Sequence, residues 1–562
     1  MILLLYTAGE KMYATDTRTA AERARGGTQV AKRKGVYTMK KWIALCMALA
    51  LMLGTVSALA EPEAYTLPLS EEKVTFTYWK PMHTNAAKLM TDYNGNEVYQ
   101  ELENRTNVHI EWIHPAAGQE AEQFNLLVAA NDLPDFVCME AGATYPGDVA
   151  KAIEDGIFLP LEDYIAQYCP NLTAIYEKYP EVAKQMKTNE GHIWGFGELM
   201  LEEDSTGPIS PWAGPAVRMD WLDELGLDVP VTLDDWHEML VAFRDQKGAQ
   251  VPMILSKSGL PSFGQFIGAF GVGRDFYRED ATVKFGPIEQ GYKDYLTLMN
   301  QWYQEGLLDV DFPSTASDAN FYAEYLTTGK AGAIDITYQD IVPLYNSLLG
   351  DAGKVAAVPY PKLNADDQLH IGCITYEVET GHSRVFINAK LDPEKLPVAM
   401  RWWDYMYSDE GYLLCNYGIE GRSYEMTDGK PAFTDLVLKN EEGMDYALWS
   451  WKYKLFNGTF RYTGYAMPEE NAQMSLASIT QWATDNDRAN MLPPSSIPLE
   501  YSSEYNGIMS EVNTYRDQMV LKFILGVEPL ENFDAYVETL KSLGIDRAIE
   551  IQQIALDMYN NR

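Results

Sequence analysis

Eight aromatic or charged side chains stand where an α/β chain could hold a ligand. A tryptophan or tyrosine ring offers a flat face for stacking, and an arginine or a carboxylate forms charge-assisted hydrogen bonds at the edge of a bound ring. This chemistry binds a molecule without changing it. The eight residues follow predicted strands or lie in irregular segments, and they are Trp79, Glu140, Trp212, Arg218, Tyr338, Arg422, Trp449 and Trp451.

Two of these segments have a form that suits a binding surface. Trp212 lies in the proline-flanked turn Ser-Pro-Trp-Ala-Gly-Pro, immediately before a predicted strand. Trp449 and Trp451 would project to the same side of an extended segment, because side chains two residues apart share a face in a strand. The pattern predicts stacking for the aromatic members of the set and hydrogen bonding for the charged ones.

Each residue of the set also has a structural alternative. Trp79 could cap an edge of the sheet, Glu140 could lie in a solvated loop, and the glycines around Arg422 could shape a turn. Other tryptophans fall on helical stripes, which predicts core positions for them. These are Trp221, Trp236 and Trp302, whereas Trp402, Trp403 and Trp482 could belong to the core or to the site.

No spacing typical of a catalytic site is present. Three serines between residues 256 and 262 form no nucleophile elbow, and His237 has no second histidine for a zinc helix. We therefore expect neither an enzyme nor a cofactor. A secreted glycoside hydrolase is the main alternative, because so many Asp and Glu residues could place two carboxyl groups at a catalytic separation. An adhesion or scaffold protein is a third possibility.

The amino-terminal region predicts export from the cell. Two lysines precede a short apolar run, and Ala58 and Ala60 form the small-x-small site that a signal peptidase needs. We predict a signal peptide at residues 39–60, cleaved after Ala60, and a mature chain that is secreted or associated with the cell surface. Cys46 lies too early in the apolar run for lipoprotein processing. Residues 1–38 are rich in arginine and unpatterned, which indicates a non-native upstream extension.

Composition limits the size of the core and the class of partner. The chain has 562 residues, of which 46% are hydrophobic, enough for two or more lobes. Residues 1–60 hold nine of the 44 basic and three of the 81 acidic residues, so the mature chain has a net charge of −43. Such a charge repels phosphate backbones and anionic bilayers, and we expect neither as a partner.

Strand and helix patterns alternate at the start of the mature chain. They follow one another at residues 74–79, 96–106, 108–113, 119–130 and 136–139. This order is typical of an α/β protein with largely parallel, doubly wound sheets. Ligands of such sheets bind beyond the carboxyl ends of the strands, which is the predicted place of Trp79 and Glu140. Later, Gly226 is predicted to end a short helix and Thr232 to cap the next one.

Four cysteines remain after removal of the signal peptide. Their wide separations match no zinc site, and we expect buried free thiols, with one or two disulfides as the alternative. They are Cys138, Cys169, Cys373 and Cys415.

Ordered segments across nearly the whole mature chain carry a resemblance to a known family. Residues 123–135 are QFNLLVAANDLPD, residues 191–196 are GHIWGF, residues 302–309 are WYQEGLLD and residues 417–424 are YGIEGRSY. In order and spacing they resemble an extracellular solute-binding protein of a bacterial ABC importer. The branch is that of the Lpl-type lipoproteins and the alginate oligosaccharide-binding proteins.

The resemblance implies an architecture and a ligand. It implies two α/β lobes of the periplasmic-binding-protein type, joined by a hinge of crossing segments around a ligand cleft. The first lobe is expected at residues 61–205 plus about 375–430, and the second at about 206–374 plus 431–562. An oligosaccharide would bind in the cleft, with an ABC permease as partner and a monomeric chain. The negative charge favours a neutral sugar.

One segment departs from the family's pattern. Alginate-binding relatives carry an Asp-rich calcium loop after a Trp-containing helix. The matching residues 244–252 hold one acidic side chain against two basic ones. We therefore predict no metal at this position.

Overall fold

The structure is a computed structural model. It describes residues 62–139, 145–146, 148–201, 211, 213–254, 266–313, 319–337, 341–369, 378–379, 384–442, 444, 446–455, 460–462, 469–483 and 490–562. The predicted upstream extension and signal peptide lie outside this part of the chain, as do Glu140, Trp212, Tyr338 and Cys373.

Strands and helices alternate along most of the described chain. The strands are β1 Val74–Trp79, β2 Val108–Ile113, β3 Phe136–Met139, β4 Glu198–Leu201, β5 Ala213–Arg218, β6 Met253–Ile254, β7 Phe276–Glu279, β8 Thr282–Phe285, β9 Ala333–Thr337, β10 Val355–Ala357, β11 Val378–Glu379, β12 Arg384–Ile387, β13 Tyr424–Thr427, β14 Lys430–Phe433 and β15 Phe460–Tyr462. The helices are α1 Thr84–Ala87, α2 Glu97–Thr106, α3 Glu120–Ala130, α4 Asp148–Glu154, α5 Glu162–Tyr168, α6 Pro170–Lys178, α7 Pro180–Gln185, α8 Met219–Leu225, α9 Leu233–Gln246, α10 Gln290–Gln304, α11 Ala319–Thr327, α12 Ile341–Leu349, α13 Leu396–Tyr405, α14 Asp409–Tyr417, α15 Asp435–Leu438, α16 Tyr446–Trp449, α17 Glu469–Ala483, α18 Leu499–Leu525, α19 Phe533–Ser542 and α20 Ile545–Asn560. Short 3-10 helices occur at Tyr93–Gly95, Ile267–Phe270, Gly286–Ile288, Gly350–Ala352, Ser450–Lys452 and Leu530–Asn532.

The first sheet confirms the predicted doubly wound start. β1 pairs in parallel with β2 and with β3, and β12 adds an antiparallel edge next to β3. The predicted strands have the observed bounds, and α2 and α3 begin one residue later than predicted. Gly226 ends α8 in a left-handed conformation, and Thr232 caps α9 with a reciprocal capping box, also as predicted.

The second sheet differs from the prediction of largely parallel pairing. Its strand order is β10-β5-β9-β6, and β5 is antiparallel to both of its neighbours. Among the strand pairs described for this sheet, only β6 and β9 are parallel. The sheet is therefore mixed, although helices still alternate with its strands.

The two sheets belong to two lobes with separate cores. The first core gathers residues between 76 and 201 and between 378 and 460. The cores around the second sheet gather residues between 213 and 369 and between 479 and 548. Leu455 and Phe460, which follow the expected division at about 430, pack in the first core. The bounds of the two lobes stay a prediction.

Along the described residues the chain changes lobe three times, and the first-lobe elements that border these passages lie side by side. They fall between residues 201 and 213, 369 and 378, and 462 and 469. In the first lobe, β4, β11 and β15 border the three passages and form one small sheet. In the second lobe, Ala213 and Leu369 border the first two passages. They share one core cluster with Trp482 of α17, the helix that follows the third passage. This arrangement is that of a hinge of crossing segments.

Gly214 fits closely beneath Trp482 at the second-lobe side of this hinge. A Cβ atom at Gly214 would lie 2.5 Å from the buried Trp482 ring, whose Nε1 donates to the Pro215 carbonyl at 3.0 Å. We expect Gly214→Ala to lower the free energy of unfolding by about 1–3 kcal/mol through overpacking. Gly507→Ala is the matched control. Gly507 is an exposed residue of α18, and a Cβ atom there would meet nothing within 4 Å. Urea unfolding should show that the control raises the free energy of unfolding by about 0.5–1 kcal/mol. An equal change in the free energy of unfolding for both variants would contradict the close fit at Gly214.

Other sequence predictions can be compared directly with the packing. Trp221, Trp236 and Trp302 are core residues, as predicted, and Trp402, Trp403 and Trp482 are core residues too. Cys138, Cys169 and Cys415 are buried thiols outside any disulfide. Within the described residues, no helix combines the length and the apolar character needed to cross a membrane.

Candidate functional site

Both large sheets direct strand ends toward the hinge. Arg384, the first residue of β12 after the second passage, pairs with Met139 at the carboxyl end of β3. In the second lobe, Ala213, which follows the first passage, pairs with Thr337 at the carboxyl end of β9. The carboxyl ends of β1, β2, β3 and β9 therefore border the region between the lobes, where open α/β sheets bind ligands.

An aromatic cluster lies just beyond β1 and β2. We call it the aromatic rim, and its members are His83, Tyr93, Trp112, His114 and Trp451. The imidazole of His83 stacks on the indole of Trp451, with ring centroids 4.0 Å apart and an interplanar angle of 13°. Tyr93 meets Trp112 and His114 edge to face, at 5.1 Å and 5.2 Å. These rings form a partly exposed aromatic surface at the expected ligand position.

Asn96 fixes the Trp451 segment to the rest of the first lobe. The Asn96 side chain caps α2 through its Oδ1, and its Nδ2 donates to the carbonyls of Trp451 at 2.8 Å and Lys454 at 3.0 Å. One buried amide thus joins a helix beside β2 to a segment more than 300 residues later in the chain. The position of the Trp451 ring is set by this long-range contact.

Cationic groups accompany the aromatic rim. The buried Lys80 ammonium lies 4.8 Å from the Tyr93 ring centroid, and the Lys454 ammonium lies 5.2 Å from the Trp451 centroid. His114 Nδ1 is 2.7 Å from the Lys80 carbonyl oxygen, which makes Nδ1 the protonated nitrogen. Burial lowers the pKa of His114, so its ring is neutral at pH 7. The rim therefore offers flat rings with donors at their edges.

Trp449 and Trp451 do not share a face, contrary to the prediction for an extended segment. α16 ends at Trp449, and a 3-10 helix follows at Ser450–Lys452. Trp449 packs with Tyr417 and Tyr453 and donates from Nε1 to the Leu436 carbonyl at 3.0 Å. Trp451 alone of the pair joins the aromatic rim. Helical turns, unlike strands, separate residues two apart onto different sides.

Trp79 and Arg218 have structural partners that the sequence interpretation did not anticipate. Trp79 is 1% exposed and packs in the first core, with its ring 6.1 Å from Phe124. Arg218 is 5% exposed and forms a two-pronged ion pair with Asp220, while its Nη1 donates to the Leu326 carbonyl at 2.9 Å. Both side chains are almost fully buried, and ligand contact by Trp79 or Arg218 stays a prediction.

Arg422 lies on the surface in an ion pair. Its Nη2 donates to Glu97 at 2.7 Å and its Nε contacts the same carboxylate, which raises the pKa of the guanidinium. Ligand contact by Arg422 therefore stays a prediction, as it does for Trp449. The predicted contacts at Glu140, Trp212 and Tyr338 lie outside the described residues.

The lobes also contact each other beside a cavity of about 690 Å³. The Leu499 N–H donates to the Glu190 carboxylate at 3.0 Å, and the Asn189 N–H donates to Ser496 Oγ at 2.8 Å. The lining comes from both lobes and consists of Pro146, Lys151, Glu154, Glu190, Pro498, Leu499, Glu500, Ser502, Ser503, Asn506 and Met558. It contains no member of the aromatic rim and none of the eight predicted residues.

Several residues of the rim were absent from the sequence interpretation. His83 and His114 follow β1 and β2 by a few residues, and the positional rule that selected Trp79 also applies to them. Asn96 and Tyr93 have no comparable signal, because their contact with Trp451 joins distant parts of the chain.

The segment that replaces the family's calcium loop has ordinary charge pairing. Asp245 accepts from its neighbour Arg244, and the pKa of Asp245 is lowered by that hydrogen bond. Over the described ranges, no group of three His, Cys, Asp or Glu side chains is placed to hold a metal ion. The absence of calcium stays a prediction.

Comparisons with known proteins give relatives that bind saccharides. The fructooligosaccharide ABC transporter substrate-binding protein FusA of Streptococcus pneumoniae is 30% identical over 263 residues, 44% of this chain and 47% of FusA. The match to FusA therefore spans about half of that relative. The polygalacturonan/rhamnogalacturonan-binding protein YtcQ of Bacillus subtilis is 24% identical over 533 residues, 91% of this chain and 97% of YtcQ. No family model matches the chain.

Solved structures agree on the fold. FusA in complex with kestose has a TM-score of 0.71 at 22% identity, covering 87% of this chain and 99% of that one. The alginate-binding protein AlgQ2 without calcium ion has a TM-score of 0.70 at 21% identity, with the same coverage of 87% and 99%. The predicted two-lobed fold and the resemblance to substrate-binding proteins of ABC transporters are thus confirmed.

Proposed function

We propose that this chain, which has the fold of the solute-binding proteins of ABC importers, binds an oligosaccharide between its lobes and delivers it unchanged to a permease. The observation that carries the proposal is the stack of His83 on Trp451 at the hinge-facing ends of the first sheet. A sugar ring has an apolar face and hydroxyl edges, and this rim offers aromatic surface with hydrogen-bonding groups beside it.

Closure of the lobes needs contacts from both of them. A ligand favours the closed form only by the contacts that it makes there and not in the open form. The aromatic rim belongs to the first lobe, and the ends of β5 and β9 belong to the second. A saccharide of several units is long enough to touch both, whereas a single small ion is not.

The names of the relatives support a saccharide as the ligand, but they do not determine whether it is neutral or acidic. FusA is named for fructooligosaccharides, which are neutral, and YtcQ is named for polygalacturonan, which is acidic. The net charge of −37 on this chain favours a neutral oligosaccharide. Both relatives are named as binding proteins, which supports binding over the alternative of glycoside hydrolysis.

Export fits this role. We infer that residues 39–60 act as a signal peptide and that the mature chain works outside the cell or at its surface, as a monomer beside the permease. The relative LipO of Bacillus subtilis is named a lipoprotein, and it is 24% identical over 437 residues. Comparing the amino terminus of the secreted protein with Glu61 would test the predicted cleavage site.

Thermal unfolding with a panel of saccharides tests the function. A saccharide present at about 100 times its Kd should stabilise the folded chain by about 2.7 kcal/mol and raise the unfolding midpoint. Chromatography of the same sample should return the saccharide intact. A cleaved product would instead support the glycoside hydrolase, and a panel of neutral and acidic oligosaccharides without any shift would contradict the proposal.

A further inference from the structure

Asp335 is a half-buried carboxylate near the hinge-facing end of the second sheet, and one of its two oxygens is enclosed. It lies two residues before the end of β9. The last residue of that strand, Thr337, pairs with Ala213. Its Oδ1 is enclosed by protein and has no hydrogen-bond partner. Of the enclosed side-chain atoms without a partner in the described chain, this is the one carboxylate oxygen.

Such an oxygen is costly in a folded protein. Burying a charged group without a partner costs more than burying an unpaired hydroxyl or indole N–H. Burial raises the pKa of Asp335 to about 7, which records that cost. Carboxyl groups kept in this condition are found where a protein binds or transforms a ligand.

Asp335 lies near the buried Tyr295 and opposite an uncharged residue of β5. Strand alternation places it on the same face as Ala333, which packs in the core that contains Tyr295 of α10. Burial is the main cause of the raised pKa of Tyr295, and the charge of Asp335 adds to it, so the two groups are near each other. Opposite Asp335 on β5 stands Pro215, which has neither a charge nor an N–H to donate.

We propose that Asp335 is a ligand-binding residue of the second lobe whose carboxylate accepts hydroxyl hydrogen bonds from an uncharged sugar unit. The inference rests on the proposed function and adds to it the class of sugar at this end of the cleft. Hydroxyl donors satisfy a carboxylate without a counter-ion, whereas a sugar that carries its own carboxylate is repelled. A ligand held by both the aromatic rim and Asp335 would gain contacts on closure.

The first test needs no ligand. Asp335→Asn keeps the size of the side chain and removes its charge, so the thermal unfolding midpoint should rise by several degrees at pH 8 and by less at pH 5. The sign follows from the raised pKa, because the wild type loses stability as pH rises from the ordinary Asp value of about 3.9 through the folded value. Asp351→Asn, an exposed site in the same lobe, should leave the midpoint unchanged. A lower midpoint for Asp335→Asn at pH 8 would show a structural partner and overturn the inference.

The second test is calorimetry at neutral pH with kestose and trigalacturonate. We expect the wild type to bind kestose more tightly than trigalacturonate, and the more stable Asp335→Asn variant to lose kestose affinity about tenfold or more. Heat from neither saccharide in the wild type would contradict the proposed function itself. Unchanged kestose affinity in Asp335→Asn, or tighter binding of trigalacturonate by the wild type, would overturn the inference and leave that function standing.

Discussion

Replacing Asp404 with alanine is expected to lower the free energy of unfolding by about 3–5 kcal/mol, as for other buried charged networks that lose one partner. The Asp404 side chain on α13 is fully buried and accepts from Tyr65 Oη at 2.9 Å, Asn171 Nδ2 at 2.7 Å and the Leu172 N–H at 2.9 Å. Asn171 and Leu172 open α6, whose own N-cap residue makes no side-chain cap bond. Asp404 therefore caps that helix from a distant part of the lobe, and alanine would leave its donors without an acceptor.

The loss should shrink as the pH of the measurement rises. Burial raises the pKa of Asp404, because it opposes ionisation more than the donors favour it. A carboxyl group whose folded pKa is raised stabilises most below its unfolded value of about 3.9 and loses that contribution as pH rises through the folded pKa. Urea unfolding at several pH values measures this trend. An exposed acid on the capped helix α6 gives the control: Glu177→Gln should change the free energy of unfolding by less than about 0.5 kcal/mol.

The outcome for Asp404→Ala distinguishes a helix-capping role of this side chain from a space-filling role. If alanine costs less than about 1 kcal/mol, the helix does not depend on this carboxylate and the capping role is wrong. If the cost is large but does not vary with pH, the side chain acts through its volume. The expected result combines a large cost with a decline as pH rises.

The first sheet could be predicted because its signals are local. β1, β2 and β3 each have their own alternating or apolar pattern, and the helices between them are long enough to show a period. The same holds for Gly226 and Thr232, whose roles as helix stop and helix cap depend on a few neighbouring residues. The pairing of β5 could not be predicted in this way. Its partners β9 and β10 lie more than a hundred residues later, and no local pattern states their direction.

The site was harder to predict because a side chain's surroundings come from distant segments. Trp79 follows the rule for strand ends, yet the helix that carries Phe124 covers it. Arg218 has an ion-pair partner two residues later in Asp220, which is a local signal of a structural role. The sequence also contains a signal for Asp335, since it is a lone acid inside the apolar strand β9. A charged residue at an inward position of a strand is a useful sign of a site.

Trp451→Ala is expected to weaken oligosaccharide binding by about tenfold or more, a loss of about 1.4 kcal/mol or more. Trp451 is 7% exposed, and its indole stacks on the His83 ring with the centroids 4.0 Å apart. Alanine would remove the indole surface and release His83 from its stacked position. The loss therefore combines a direct aromatic contact with the preorganisation of a second ring. Calorimetry with the saccharide that gives the largest thermal shift would measure it.

A neighbouring tryptophan provides the matched control for this experiment. Trp449→Phe keeps an aromatic ring in the cluster with Tyr417 and Tyr453 and removes only the N–H bond to Leu436. We expect its Kd to match the wild type, because phenylalanine keeps an aromatic face at this position. Circular dichroism would establish that both variants are folded. Wild-type affinity in folded Trp451→Ala would remove Trp451 from the site, and equal losses in both variants would indicate that the segment acts through its backbone position.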